Sequence, residues 1–203
     1  MDTKFVNRLD RKGMTWDAYL AVMERDAAVD PGSLEGLAAE RAEFSKLNLH
    51  RTRRIERTWK PSGDLLALIE RLPEPQTWLV LTETWCGDSA QCLPMIVRLA
   101  EMTNGVTLRI LLRDENLDVM DRYLTDGKQA IPKLVAFDEA GGELFRWGAR
   151  PAAAQAVMDE ALAEGLAKPE RLERLHQFYG RDRGRALDTE FVTLLTTYLE
   201  GAP

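Results

Sequence analysis

Cysteine is scarce: the 203 residues hold two, Cys86 and Cys92. Two thiols cannot staple a chain this long, so a disulfide framework is excluded. Histidine is as rare, with His50 and His176 both far in sequence from the cysteines. No metal-ligand spacing results, and the sequence calls for no metal and no other cofactor. No apolar run reaches the roughly 18 residues that a membrane span needs. Residues 1–16 are polar and mixed in charge, without the basic, then apolar, then small-residue order of a signal peptide. Positive charge is not in excess. The formal net charge is −6, so overall electrostatics give no support to nucleic-acid binding. There is no internal repeat and no low-complexity tract. What remains is an ordinary soluble composition, 45% hydrophobic and 30% charged, and the expectation of a cytoplasmic protein with neither nucleic acid nor membrane as partner.

The pattern along the chain predicts three parts: a helical extension over residues 1–61, an α/β core over 62–165, and a second helical extension over 166–203. Thr15 can cap a helix carrying Trp16, Tyr19, Leu20 and Met23 on one face. After the turn at Asp30-Pro31-Gly32-Ser33, a long helix over residues 34–59 would line its apolar side with Leu37, Phe44, Leu47, Ile55 and Trp59. Its end carries Arg51, Arg53, Arg54, Arg57 and Lys60. Positive charge there suits the macrodipole, so a solvated basic end is expected, with an anion- or partner-binding patch as the alternative.

Ser62 or Asp64 starts the next helix, which Pro73 and Pro75 end. Residues 77–82 form a nearly continuous apolar run, as in a strand buried on both faces. Helix, strand (106–112), helix (116–124) and strand (133–137) follow. Gly141-Gly142 then marks a hairpin into a last strand over 143–147. Alternating strand and helix predicts parallel pairing, with an antiparallel edge from the hairpin. Beyond Pro151 the chain reads as helix again, with a basic loop over residues 179–188 and Asp188 capping the last helix.

Cys86 follows the buried strand directly and precedes a helix. That position sets its sulfur beside unpaired N–H groups and the positive end of the helix dipole, which favour the thiolate, the nucleophilic form. The alternative is a cysteine that only packs at a strand end. Trp85 can shield one side of the sulfur, and Gly87 lets another chain approach.

Trp85-Cys86-Gly87-Asp88-Ser89, with Pro94 eight residues after the cysteine, resembles the active-site segment of the thioredoxin family. Ala130-Ile131-Pro132-Lys133, leading into a strand, resembles that family's cis-proline loop. With Leu111-Leu112-Arg113-Asp114-Glu115-Asn116 between them, the whole pattern is similar to a bacterial group of thioredoxin-family proteins. The resemblance covers about residues 62–165. It implies a thioredoxin-like α/β fold, a central mixed sheet of about four strands flanked by helices. It also implies Cys86 as attacking thiol and a cis Pro132, with the backbone at Ile131 pairing with a bound peptide or thiol.

Departures from the family pattern shape the chemistry. Ser89 stands where the second cysteine would be, so the two-cysteine cycle is closed at that spacing. Asp88 replaces proline, and it would either raise the Cys86 pKa or cap the helix. Val80 takes the strand position of the family's buried acid. Glu83 could substitute, although a solvated strand-end glutamate is the plainer expectation. Cys92 lies six residues on, about 9 Å along a helix, beyond the roughly 7 Å a disulfide spans. A buried core role for Cys92 is therefore expected.

Three functions are compatible with these residues. In the leading one, Cys86 is the nucleophile of a monothiol thiol–disulfide oxidoreductase whose partner is a protein or a low-molecular-weight thiol or disulfide. Ser89 would hydrogen-bond the thiolate, and Arg113 or Lys133 could steady an acidic thiol. The second is a non-catalytic binding module. The third is a peroxidase-like redox sensor in which Cys92 resolves oxidised Cys86.

Overall fold

The computed structural model describes residues 3–201. Residues 1, 2, 202 and 203, the outer ends of the two expected extensions, lie outside the described residues.

The apolar run forms β1 (Gln76–Thr82), buried along its whole length. It lies inside a four-stranded sheet of order β2-β1-β3-β4, with β2 at Val106–Leu112, β3 at Lys133–Asp138 and β4 at Glu143–Gly148. We number the helices through the chain: α1 (Thr3–Lys12), α2 (Trp16–Ala27), α3 (Gly36–Thr58), α4 (Gly63–Ile69), α5 (Gly87–Glu101), α6 (Leu117–Met120), α7 (Ala152–Ala163), α8 (Lys168–Asp182) and α9 (Arg185–Gly201).

β1 and β2 are parallel, with α5 as the connection between them. β3 departs from the expected parallel pairing: it runs antiparallel to β1, and β4 runs antiparallel to β3. The cause lies in the link from β2 to β3, where α6 has four residues rather than a helix reaching residue 124. At 1.5 Å per residue it rises about 6 Å, whereas a seven-residue strand spans about 23 Å. Without a full crossover helix packed on the sheet to carry it back, the chain enters β3 from the end where β2 finished, in the reverse direction. The β3–β4 turn is held by Asp138, whose Oδ1 accepts from the Gly142 amide at 2.7 Å. The outer edge of β2 is partly covered, because Met14 exchanges backbone hydrogen bonds of 2.8 and 2.9 Å with Ile110, and a paired edge cannot template association.

Two apolar cores sandwich the sheet. On one face Val6 and Leu9 of α1 pack with Leu79, Leu81, Met120 and Phe137. On the other, Tyr19, Met23, Trp78, Leu93, Ile96 and Phe191 belong to a larger core that draws on α2 through α5 and α7 through α9.

The ends of the chain hold further corrections. On α3, Leu37 is 61% and Leu47 46% exposed; the buried positions are Ala42, Ser45, Asn48, Thr52 and Ile55. The half-polar face is the one turned inward, because it meets backbone that needs hydrogen bonds. Residues 179–188 are not a loop. α8 continues through Tyr179, and only Arg183 and Gly184, at φ of 57° and 87°, separate it from α9. The carboxylate of Asp182 receives the amides of Gly184 and Ala186 at 3.0 and 3.1 Å, opening α9. Asp188 instead accepts from the Ser62 amide and hydroxyl at 2.8 and 2.6 Å, tying α9 to the start of α4.

Candidate active site

β1 and β2 point their C-terminal ends toward the same end of the sheet, and the segment after β1 carries Glu83 to Cys86 across it. α3 grips this segment. Asn48 Nδ2 donates to the Thr84 carbonyl at 3.1 Å, Ser45 Oγ lies 3.2 Å from Thr84 Oγ1, and that hydroxyl donates to Asp26 at 2.8 Å. The spacing 45, 48, 52 places three small polar residues on one helix face. That stripe was the sequence signal for this contact, and attention to apolar spacing passed over it.

Cys86 is the N-cap of α5, and its Sγ accepts from the Ser89 amide at 3.5 Å. On its other side the thiol donates to the Ile131 carbonyl at 3.4 Å. The Ile131–Pro132 bond is cis. The Ser89 hydroxyl is buried without a hydrogen-bond partner. Cys86 is itself 8% exposed. Burial raises its pKa from 9.0 to about 11, and the charge of Asp88 pushes the same way, against the Ser89 side chain and the amides of Ser89 and Asp88. The helix terminus stabilises the thiolate, but desolvation is the larger effect here.

Asp88 does not cap the helix. Its carboxylate turns into the protein, where Arg150 Nη2 and Nε donate to it at 2.7 and 3.1 Å and the Tyr179 hydroxyl donates at 2.5 Å. Burial raises the Asp88 pKa, while Arg150 and Tyr179 lower it. Glu83 is not a solvated strand-end residue either. It is 7% exposed, and its carboxylate takes the Asp114 amide at 2.8 Å. Burial raises its pKa against that hydrogen bond. Cys92 is fully buried in the larger core, with Sγ 4.0 Å from the Tyr179 hydroxyl. Lys133 is buried, its Nζ turned to the Gly148 carbonyl at 3.4 Å.

A cavity of about 340 Å³ opens beside Cys86. Trp85, Gly87, Ile131 and Arg113 line it, as the sequence suggested, and so do residues that sequence reasoning missed: Arg41 of α3, and Lys168 and His176 of α8. Arg41 and Arg113 lie over the Trp85 ring, 4.5 and 5.0 Å from its centroid. His176 sits against Gly87, where an added Cβ would meet the ring Cε1 at 2.8 Å. Burial and the neighbouring Arg51 lower the His176 pKa to about 4, so the ring is neutral at pH 7. Its Nδ1 is buried without a partner. A wider depression bordered by Pro75, Gln76 and Tyr198 lies at the opposite end of β1 and holds no nucleophile. Among the described residues, no group of three or more His, Cys, Asp or Glu could hold a metal ion. None of the described helices is long and apolar enough to cross a membrane.

A family model described as thioredoxin matches residues 37–162, more than half of the chain. The chain belongs to the thioredoxin family. Its mixed sheet flanked by helices is the α/β thioredoxin-like fold that the motif implied, and membership points to a redox or thiol-related role. No curated protein matches. Among solved structures, a protein of unknown function from Pseudomonas aeruginosa is 21% identical with a TM-score of 0.56, over 96% of each chain. An HIV epitope scaffold is 20% identical with a TM-score of 0.57, over 97% of this chain and 98% of its own. Both likenesses span the helices outside the matched family segment, and at this identity they speak for the fold alone.

Proposed function

We propose that this thioredoxin-family chain is a monothiol thiol–disulfide oxidoreductase with Cys86 as its nucleophile. The observation that carries the reading is the placement of Sγ between the Ser89 amide and the Ile131 carbonyl, facing a cavity. After losing its proton, Cys86 attacks one sulfur of a disulfide. The substrate S–S bond breaks, a Cys86–S–S–R bond forms, and the other half leaves as a thiolate that takes up a proton. A second thiol then attacks the mixed disulfide, regenerating Cys86 and completing the two-electron reduction. Ser89 supplies its amide, and its buried hydroxyl acts on the side of the thiolate.

The burial of Cys86 favours a second reading, a binding module with an inert cysteine. A pKa of about 11 leaves a thiolate fraction of about 10⁻⁴ at pH 7. A cycle resolved by Cys92 is the least supported. α5 runs unbroken from Gly87 to Glu101, and its first turns would have to unwind to join the two sulfurs.

Intact mass after exposure to oxidised glutathione, on the wild type and Cys86→Ser, separates the three. A glutathione adduct that Cys86→Ser abolishes is the expected result. An unchanged mass, with both thiols titrating only after unfolding, would leave the binding module. Loss of two hydrogens within a monomer would show Cys86 bonded to Cys92.

A further inference from the structure

We infer that the substrate of this pocket is a small disulfide or thiol bearing carboxylates, and not a protein disulfide. The inference rests on the oxidoreductase reading and concerns what reaches Cys86. Two independent features carry it: the roof over the thiol, and the charge of the walls.

The roof comes from outside the sheet. Leu37 and Phe44 of α3 and Leu172 and His176 of α8 form walls of the cavity, and Cys86 at its base is 8% exposed. A protein substrate must lay an extended segment beside Ile131, and Leu37, Phe44, Leu172 and His176 of the two helices line the same cavity as Ile131 and narrow the approach to it. The cavity volume of about 340 Å³ lies at the lower end of the 300–1,000 Å³ typical of small-molecule sites. The His176 ring also packs against Gly87, where any larger residue's Cβ would go, and forms part of the cavity wall.

The walls are cationic in a chain whose formal net charge is −6. Arg41, Arg113, Arg150 and Lys168 face the cavity against Glu40 and Asp88. Arg150 is spent on Asp88 at 2.7 Å and Lys168 on Glu40 at 2.5 Å. Arg41 and Arg113, however, share the single carboxylate of Asp114, at 3.2 and 2.7 Å. The second carboxylate that acts on them, Glu83, is buried and taken up by the Asp114 amide at 2.8 Å, outside the cavity lining, and both guanidinium groups lie at the Trp85 ring beside the cysteine. Behind Gly87, Arg51 and Arg54 donate to the amide oxygens of Asn48 and Gln91, not to carboxylates. A planar guanidinium pairs with carboxylate through two parallel hydrogen bonds, and such pairs are strongest where water is excluded. The substrate's own carboxylate completes the Arg41–Arg113 pair and holds its disulfide at Sγ. The disulfide is the oxidant in this step, so no further reagent is needed.

The test uses the full chain and two readouts. First, the rate of mixed-disulfide formation at Cys86 is measured by mass for oxidised glutathione (acidic), hydroxyethyl disulfide (neutral), cystamine (cationic) and insulin, each divided by its rate with a free cysteine peptide. Oxidised glutathione should exceed cystamine at least tenfold, insulin should be slowest, and Arg113→Gln should cut the preference several-fold. Equal normalised rates across the charge series, or insulin matching glutathione, would overturn the inference while the oxidoreductase reading stands. Second, Cys86→Ser is titrated calorimetrically with S-methylglutathione and its dimethyl ester. Esterification should weaken binding at least tenfold. Carboxylate-dependent binding with a wild-type Cys86 that reacts with no disulfide would sink the oxidoreductase and keep the pocket's ligand class. Binding indifferent to esterification would sink the ligand class.

Discussion

Asp88 is a buried carboxylate two residues from the nucleophile, and its charge acts against the thiolate. The protein holds it there with Arg150 and Tyr179, 62 and 91 residues further along the chain. Replacing it tests how far the thiol is suppressed. Asn at this position removes the negative charge and leaves Arg150 without its counter-ion, and both changes favour Cys86 as thiolate. The pH midpoint of Cys86 alkylation should therefore fall from about 11 by roughly one unit. Below both midpoints the alkylation rate should rise about tenfold. Burial, the larger cause, persists in this variant, so the midpoint should stay above the value for an exposed thiol. A midpoint that stays in place or rises would show that Asp88 does not govern the thiol. The sequence located this pair, because Cys86 and Asp88 sit in one motif. It gave no sign of the direction in which Asp88 turns. That direction depends on partners from β4's end and from α8, and no local spacing encodes a meeting across 91 residues.

At the scale of elements, the site is built by contacts between helices as much as by the sheet. α5 begins at Gly87, and α8 lays the His176 ring on it. Gly87→Ala places a methyl 2.8 Å from Cε1 and 3.0 Å from Nε2 of that ring, closer than carbon atoms pack. The ring is partly buried and hemmed by Arg51, so relief requires a shift of α8 or a poorer rotamer. We expect Gly87→Ala to cost about 1–3 kcal/mol in urea unfolding. Combining it with His176→Ala should recover most of that loss, a coupling of about 1 kcal/mol or more in a double-mutant cycle. A neutral Gly87→Ala would show that the two helices are not in close contact. The elements themselves were largely legible. β1 reads as buried because it has no polar interruption, and Thr15 and Ser62 cap the helices they precede, accepting from Ala18 and Leu65. The orientation of β3 was not legible, since it turned on how short α6 would be. The inward face of α3 was misread because Leu37 and Leu47 outrank Ser45 and Asn48 on any apolar scale, yet the backbone at Thr84 needs hydrogen-bonding partners.

Across the whole molecule, the helices that flank the sheet share its core. Phe191 of α9 is fully buried, 5.6 Å from the Trp147 ring of β4, and belongs to the same cluster as Trp78 and Leu93. Leu187 and Leu195 of α9 are fully buried beside it. Amphipathic spacing announced that these helices would cover something, and the packing shows that they cover the sheet and carry walls of the cavity. Such sharing predicts one cooperative unit. Phe191→Ala should then cost about 3–5 kcal/mol, although the residue lies outside the cavity. Urea unfolding followed by far-ultraviolet circular dichroism and by Cys86 labelling should show coincident transitions in both proteins, with the midpoint lower in the variant. If α8 and α9 were a separately melting attachment, the variant would lose only part of its helix signal at low urea. Cys86 would then become reactive before the sheet unfolds, because α8 carries His176 and Leu172 away with it. Coincidence of the two probes is the outcome expected from a core that Phe191 and Leu93 occupy together.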